Sequence, residues 1–527
     1  MTSWWHGGIG YEIYPRSFAD SNDDGIGDIN GIRGRLPYLS WLGIDAIWIA
    51  PFYQSPGLDH GYDVSDYRAI NPIHGTLADF DELVADAHGR NIRVIVDIVP
   101  NHSSSEHRWF QEALKGRDQP HRDYYIWRDP GPDGGPPNNW VSHFGGPAWT
   151  LDEASNQYYC HLFLPEQPDL NWSNPALRAE FDDILRFWCD RGADGFRIDV
   201  AHGLIKDPQF RNNPQRVPIQ DPDNPTEVFN AFEHLYDMDQ DGTVDVYRRW
   251  NQVVEPYSAV LIGESNPRSL DRVARYVTNG SLHTVFYLEP GWIHWKPEDL
   301  LEKIETVHRS TDTGISWVID NHDNPRSATR FGGGDVGRSR SLAVMTFMMA
   351  LGGFPFLWEG QELGLTDAEL DASNLTDPIA TRNEHGVGRD TTRTVMPWDS
   401  SHANGFSESA EPWLPSAQRT PAETVAVQRD DKSSWLSKHR DLITTRRSHP
   451  DLWKATPQWL ETPPGAVRAL RRGKMLALAN WKPDMFSIEL PPGKWSIVYH
   501  SGSAEHQDVS GSIDMAAEST YLLAAST

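Results

Sequence analysis

The chain has 527 residues, room for about three or four domains of ordinary size, although one βα barrel of about 250 residues also counts as a single domain. With 74 acidic against 47 basic side chains the formal charge is -27, which excludes nucleic acid or an anionic membrane as the main partner, since both need a basic face. A hydrophobic fraction of 38% with 22 Trp excludes a disordered chain. The two cysteines, Cys160 and Cys189, form neither a disulfide framework nor a metal-ligand spacing and read as packing thiols of a reducing compartment. No apolar run approaches the about 18 residues that span a bilayer, and a strand-like run already starts at Ile9, so a soluble, cytoplasmic protein without a leader is expected.

In chain order, short apolar runs recur at Ile9–Tyr14, Ile44–Pro51, Ile92–Val99, Gly195–Ala201, Ala259–Ser265, His283–Glu289, Ile315–Asp320 and Phe354–Gly360. Near-continuous apolar runs suit strands buried on both faces of a parallel sheet. Between them, segments such as Phe80–Arg90 and Leu177–Gly192 space their apolar residues by three and four, as amphipathic helices do. Eight such alternations predict an α/β fold, a (β/α)8 TIM barrel.

Three interruptions are expected in that pattern. Residues 101–172, rich in Gly, Pro, Trp and Tyr, are too long for an ordinary loop and read as an inserted subdomain. Residues 363–428 form an irregular insertion after the eighth run, and 448–527 turn to alternating β patterning, a small antiparallel domain. The barrel is thus assigned to 1–100 and 173–447.

Barrel enzymes carry their chemistry where strands run into βα loops. Polar residues crowd these ends: Asp97, Asn101 and His102, then Arg197 and Asp199, then Glu264, then His322 and Asp323. Three carboxylates from different strands, Asp199, Glu264 and Asp323, should converge on one mouth. That suits glycoside hydrolysis, in which an ionised carboxylate attacks the anomeric carbon and a second, with raised pKa, protonates the leaving oxygen. Arg197 beside Asp199 is expected to keep it ionised.

A separate signal is DSNDDGIGD. Asp20, Asn22, Asp24, the Ile26 carbonyl and Asp28 follow the ligand order of a calcium loop, with Gly25 at its turn but no closing Glu. Structural Ca2+ is expected there, Mg2+ next, an unmetallated acidic turn otherwise.

The segments DIVPNH, GFRIDVAH, GES and NHDNPR resemble the four signature regions of glycoside hydrolase family 13, the α-amylase family. QPDLN, YEIYPRSF, GYDVSDY and RDTTRTVMPWD are similar to its oligo-1,6-glucosidase/α-glucosidase subgroup, where the acidic first loop is also a metal site. The resemblance implies Asp199 as nucleophile, Glu264 as acid/base and Asp323 as the carboxylate gripping sugar hydroxyls. It implies glucose-holding roles for His102, Arg197 and His322, with Tyr62 stacking and Phe144 and Phe163 as aromatic walls. Asp63 with Arg389, or Arg393 in second place, should seal a one-glucose pocket and so give exo-action. Such an enzyme takes a small oligosaccharide or α-glucoside, transglucosylates as a side reaction, and is a monomer or homodimer.

Val200, after the nucleophile, accompanies α-1,6 activity in the subgroup, but one side chain shifts discrimination by only about 1–3 kcal/mol. His60 in DHGYD and Asn266 in GESN depart from the usual pattern on the leaving-group side. A transferase or isomerase, such as a trehalose synthase or sucrose isomerase, is the alternative; no segment after NHDNPR resembles the isomerases' RLDRD-type motif. A non-catalytic relative is disfavoured, because all three carboxylates are present.

Overall fold

The computed structural model describes residues 3–265, 269–311, 315–382, 388–417, 419–502 and 507–526. Asn266 lies outside the described residues.

Eight strands, β1 (Gly10–Ile13), β2 (Ala46–Ile49), β3 (Arg93–Ile98), β4 (Gly195–Ile198), β5 (Val260–Ser265), β6 (Thr284–Tyr287), β7 (Ile315–Trp317) and β8 (Phe356–Trp358), form one parallel sheet. Each pairs with its sequence neighbour, β1 also pairs with β8, and the Phe354 N–H donates to the Ile315 carbonyl (3.2 Å) beside β7, closing the ring. A helix follows each strand: α1 (Ile29–Leu42), α2 (Leu77–His88), α3 (Pro175–Asp190), α4 (Thr243–Val254), α5 (Leu270–Tyr276), α6 (Pro297–Thr311), α7 (Gly334–Met348) and α8 (Trp435–Ser448). The fold is the expected (β/α)8 barrel.

Period-2 alternation explains why the strands read as continuous apolar runs. Trp48, Ile95, Ile262, Phe286 and Phe356 belong to one buried cluster, while Ile47, Val94, Val96, Leu261 and Val285 belong to another together with helix residues such as Leu83, Leu185 and Leu300. Gly10 is required in β1, since a Cβ there would lie 2.3 Å from the Phe356 ring. The helices start on local signals: Asp28 caps α1 through Gly31 N–H, Thr76 and Asp79 form a capping box on α2, and Asn174 with Pro175 opens α3.

The segment after β3 carries a three-stranded antiparallel sheet, Trp127–Arg128, Gln157–Cys160 and Trp149–Asp152, with its own core around Trp140, Trp149 and Leu162. It returns to the barrel through a His102–Asp169 bridge, and the buried Lys206 ammonium ties Asp169 (2.9 Å) to Asn101 (3.1 Å). A further excursion, residues 201–242 between β4 and α4, was not foreseen; its Phe210, Phe229, Tyr236 and Met238 pack on that subdomain core. It is a polar, Pro- and Asn-rich stretch that reads as plain loop between two clear elements. Beyond Pro457 a six-stranded antiparallel sheet and a separate strand pair enclose a second core. Cys160 and Cys189 are both buried and unpaired with each other. Among the described residues no helix is long and apolar enough to cross a membrane.

Candidate active site

A cavity of about 180 Å3 opens at the carboxyl ends of the barrel strands, under the inserted subdomain. Asp199, Val200, His202 and Glu264 line it from β4 and β5, Asp323 from the loop after β7, and His102, His143, Phe144 and Phe163 from the subdomain and its approach. Asp59, Tyr62, Leu288, Trp292 and Arg389 complete the wall. A larger cavity of about 390 Å3, lined by Arg122, Arg128, Trp127 and Lys206, lies elsewhere and contains none of the three carboxylates.

Arg197 is the hub. Its Nη1 donates to Asp199 Oδ1 (2.9 Å) and Asp97 Oδ2 (2.9 Å), and its Nη2 donates to Glu264 Oε2 (2.6 Å). Arg197 is on β4 and Asp199 stands just past its end, two residues on, so that the pleat carries both toward the same side. Val200 has φ +43, a left-handed conformation unusual for a β-branched residue, and there its N–H donates to Glu264 Oε2 (3.1 Å). So Val200 reaches the site through its backbone as well as its side chain.

Arg197 favours the ionised form of Asp199, in the direction the sequence reading expects, but the one guanidinium is shared among three carboxylates. Burial pushes the Asp199 carboxyl well above the usual range against the pull of Arg197, with Glu264 and Asp97 adding repulsion. Burial likewise pushes Asp97 up to about 7. These groups titrate as a set. Asp323 is the opposite case: burial would raise it, but the permanently charged Arg389 and Arg393 beside it hold it well below the usual carboxylate range. Arg389 and Arg393 both donate to its Oδ1, at 3.1 and 2.9 Å. Burial also holds His102 down at about 4 and His322 well below its ordinary value, so both imidazoles are neutral near pH 7.

The expected Asp63–Arg389 pair is corrected. Asp63 accepts from Ser55 Oγ (2.8 Å) and from the backbone N–H groups of Leu58 (2.8 Å) and Asp59 (3.1 Å), holding its own loop together. The partner of Arg389 is Asp59, at 2.8 Å, and a second carboxylate, Asp377, grips Arg389 Nε at 2.7 Å. Gln167 of the QPDLN segment donates to the other oxygen of Asp59 (3.0 Å). Arg393 donates to the His322 carbonyl (2.7 Å) and to Asp323 rather than to Asp63. His60 is buried, neutral, and edge-on to Trp413, away from the lining.

The remaining expected residues gather as foreseen. Tyr62 lies parallel to His322 (13°, centroids 5.4 Å apart), and its hydroxyl is 2.8 Å from His322 Nε2. Phe144 packs edge-on to Phe163 (5.6 Å) and faces the Arg389 guanidinium (5.5 Å). Sequence reasoning missed Asp59, Asp377, His143, Leu288 and Trp292. An acidic residue on each side of GYD was the available signal for Asp59; the others carry no local motif.

The first loop does not bring Asp20, Asp24 and Asp28 together as a metal cluster: among the described residues no group of three His, Cys, Asp or Glu side chains is so arranged. Asp20 accepts N–H bonds from Asn22, Asp23 and Gly25, and Asp24 accepts one from Ile26. Asp28 is turned to Ser21 and to the start of α1.

The α-amylase catalytic-domain model matches residues 12–455. The chain is 38% identical to a protein named probable alpha-glucosidase from Rhizobium meliloti (strain 1021), over 93% of this chain and 91% of that protein. It is 35% identical to an oligo-1,6-glucosidase of Heyndrickxia coagulans (94% and 96%) and 37% identical to a trehalose-6-phosphate hydrolase of Escherichia coli (strain K12) (95% and 95%). Among solved structures, an alpha-glucosyl transfer enzyme superposes with TM-score 0.90 at 36% identity, and a trehalulose synthase of Pseudomonas mesoacidophila MX-45 with 0.89 at 31%, each pair aligned over 100% of both chains. With a barrel mouth that gathers Asp199, Glu264 and Asp323 and a family match over most of its length, the chain belongs to the α-amylase family of glycoside hydrolases.

Proposed function

We propose that the protein is a retaining, exo-acting α-glucosidase that releases glucose from the non-reducing end of short α-glucosides. The observation that carries this is the gathering of Asp199, Glu264 and Asp323 on one small cavity, with Arg197 donating to both Asp199 and Glu264 as neighbouring members of a nucleophile and acid/base pair. Asp199 attacks the anomeric carbon while Glu264 gives its proton to the departing glycosidic oxygen, forming a covalent β-glucosyl ester on Asp199. Glu264, now a carboxylate, takes a proton from the incoming water, which displaces Asp199 and restores the α-configuration. Asp323, held ionised by Arg389 and Arg393, binds sugar hydroxyls as the ring flattens toward the oxocarbenium ion.

Exo-action rests on Asp59–Arg389, which stands across one side of a small cavity and leaves room for a single terminal sugar. Transfer of the same glucosyl group to a sugar acceptor is the second reading, favoured by the likeness to an alpha-glucosyl transfer enzyme and a trehalulose synthase. Incubation with maltose, isomaltose, sucrose, trehalose, trehalose 6-phosphate and p-nitrophenyl α-glucoside, with all products resolved, tests both. The expected product is α-glucose with minor transfer products; absence of glucose from every substrate overturns the reading.

A structural Ca2+, or Mg2+ in its place, at the first loop belongs to the same proposal. The donors are all oxygens, from Asp20, Asn22, Asp24 and the Ile26 carbonyl, which fits a hard cation, and Gly25 takes the φ +85 that the turn needs. Asp28 contributes by closing the loop onto α1. Bound there, the ion would neutralise the acidic loop; no step of the reaction passes through it.

A further inference from the structure

Glu12 is a carboxylate in the barrel interior for which no step above has a use. It sits on β1 in register with Trp48 on β2 and Trp358 on β8, and is 1% exposed. Burying an unpaired carboxylate is expensive, so its partner is informative. That partner is Nδ1 of His322, at 2.5 Å from Glu12 Oε1.

The His322 ring is caged by aromatics. Tyr14 and Tyr62 lie nearly parallel to it, with interplanar angles of 24° and 13°, and Trp48 meets it edge-on at 70°. Such a cage fixes the plane of the imidazole but leaves its flip undecided, because the apolar walls do not tell a nitrogen from a carbon. Glu12 makes that choice. With Nδ1 held from behind, Nε2 faces the Tyr62 hydroxyl (2.8 Å) and Asp323 Oδ2 (3.4 Å), and both of those residues line the cavity.

We propose that Glu12 is a positioning residue of the glucose pocket, which orients His322 by holding Nδ1 so that Nε2 is the nitrogen offered to Tyr62, Asp323 and a sugar hydroxyl. The proposal rests on the α-glucosidase reading of the site. Burial pushes the Glu12 carboxyl well above the usual range, with Arg197 opposing and Asp323 and Glu359 adding to the rise. The contact survives either protonation state, since a carboxylate accepts Nδ1–H and a carboxylic acid donates to Nδ1. Glutamine, which both accepts and donates at nearly the same reach, should therefore replace it.

The test is a set of variants assayed on p-nitrophenyl α-glucoside and on the best disaccharide, with melting temperatures measured alongside. Partners that hold the second nitrogen of a metal-ligating histidine are worth about 10–100-fold, and the same size of effect is expected for an imidazole that holds a sugar. Glu12→Gln should stay within about threefold of the parent in kcat/KM, whereas Glu12→Leu should lose about 10–100-fold with little change in melting temperature. The double variant Glu12→Leu/His322→Asn should be no more than about threefold worse than His322→Asn alone, because the leucine removes only what acts through the imidazole. Parental activity in Glu12→Leu, an equal loss in Glu12→Gln, or full additivity in the double variant would each overturn the proposal. If Glu12→Leu does not fold, Glu12→Asp, which keeps the charge but falls short of Nδ1, takes its place with the same expected loss, and parental activity there overturns it. Intact activity in His322→Asn and Asp199→Ala would instead sink the α-glucosidase reading, a result separable from any failure of Glu12.

Discussion

Arg389 Nη2 lies 2.8 Å from Asp59 Oδ1, while the same guanidinium is anchored from behind by Asp377 and reaches Asp323 at 3.1 Å. The pair therefore does more than close a rim, because it couples the cavity wall to a carboxylate that should bind the sugar. Truncating one partner of a buried, hydrogen-bonded charge pair costs about 2–5 kcal/mol, and because Asp377 and Asp323 still compensate Arg389 the low end applies. Asp59→Ala is expected to raise KM for disaccharides about 30-fold or more and to relax the preference for short substrates. Asp63→Ala should instead lower thermal stability, since Asp63 binds only its own loop. Steady-state kinetics on a maltooligosaccharide series and melting curves separate the two. Equal KM effects would mean that the pairing is misread.

Asp199 and Glu264 share Arg197 but have different tasks, so their variants should fail differently. Asp199→Ala should abolish turnover, with a loss of at least about 10^3-fold on every substrate. Glu264→Gln should lose about 10^2–10^4-fold on substrates whose leaving group needs a proton, and far less with p-nitrophenol leaving. Dichroism spectra like the parent's confirm that the fold is kept. Substantial residual activity in Asp199→Ala would show that another group is the nucleophile.

The barrel was legible because a strand buried on both faces writes a short apolar run, and eight such runs stand in order. The triad was legible because each carboxylate sits at the end of a run. Asp59 was misassigned to Asp63 because the two lie four residues apart around GYD, and nothing in the sequence says which carboxylate the turn consumes. The backbone settles it: the N–H groups of Leu58 and Asp59 fold back on Asp63. The raised Asp199 was not legible either, since it depends first on burial and then on Glu264 and Asp97 meeting it at one guanidinium across β3, β4 and β5. His143 and Trp292 come from segments without motifs, brought to the wall only by tertiary packing.

Acid should destabilise the fold through buried neutral histidines. Burial holds His74 and His439 near pKa 4 against an unfolded value of 6.5, so between those values the unfolded chain binds protons that the folded one does not. Stability from each is complete above about pH 6.5 and is lost as pH falls toward about 4, with a slope of about 1.4 kcal/mol per pH unit. Asp97, raised by burial from 3.8 to about 7, contributes with the opposite sign across the whole of the same range, so the comparison must be between variant and parent. His74→Gln, whose amide can still donate to the Gly27 carbonyl that His74 Nδ1 contacts at 2.9 Å, should flatten the fall in melting temperature between pH 6.5 and 4. An unchanged slope would show that His74 is not titrating there.

If the first loop holds a divalent cation, chelation should lower the melting temperature while kcat at low temperature stays within about twofold, because no residue of the loop lines the cavity. Binding of Ca2+ at about 100 times its Kd would restore about 2.7 kcal/mol. Asp24→Ala should remove the response to both chelator and Ca2+. Asp28→Ala should lower stability even without metal, since Asp28 caps α1. No effect of chelation on a protein shown to carry Ca2+ by elemental analysis would place the ion elsewhere.

Trp292 is 44% exposed and lines the cavity beside Leu288. An indole left half in water at a sugar-binding mouth offers a flat apolar face to the ring that departs or accepts, and aromatic contacts of this size are worth about 0.5–1.5 kcal/mol beyond area burial. Trp292→Ala should raise KM for disaccharides about three- to tenfold, with kcat little changed. It should also lower the ratio of transfer to hydrolysis at high sugar concentration, because water needs no such surface and an acceptor sugar does. Product ratios measured across acceptor concentrations decide the matter. A variant with the parent's ratio would place the acceptor elsewhere on the cavity lining, which includes His143, stacked on Phe163 and Phe229, and would make that histidine the next residue to replace.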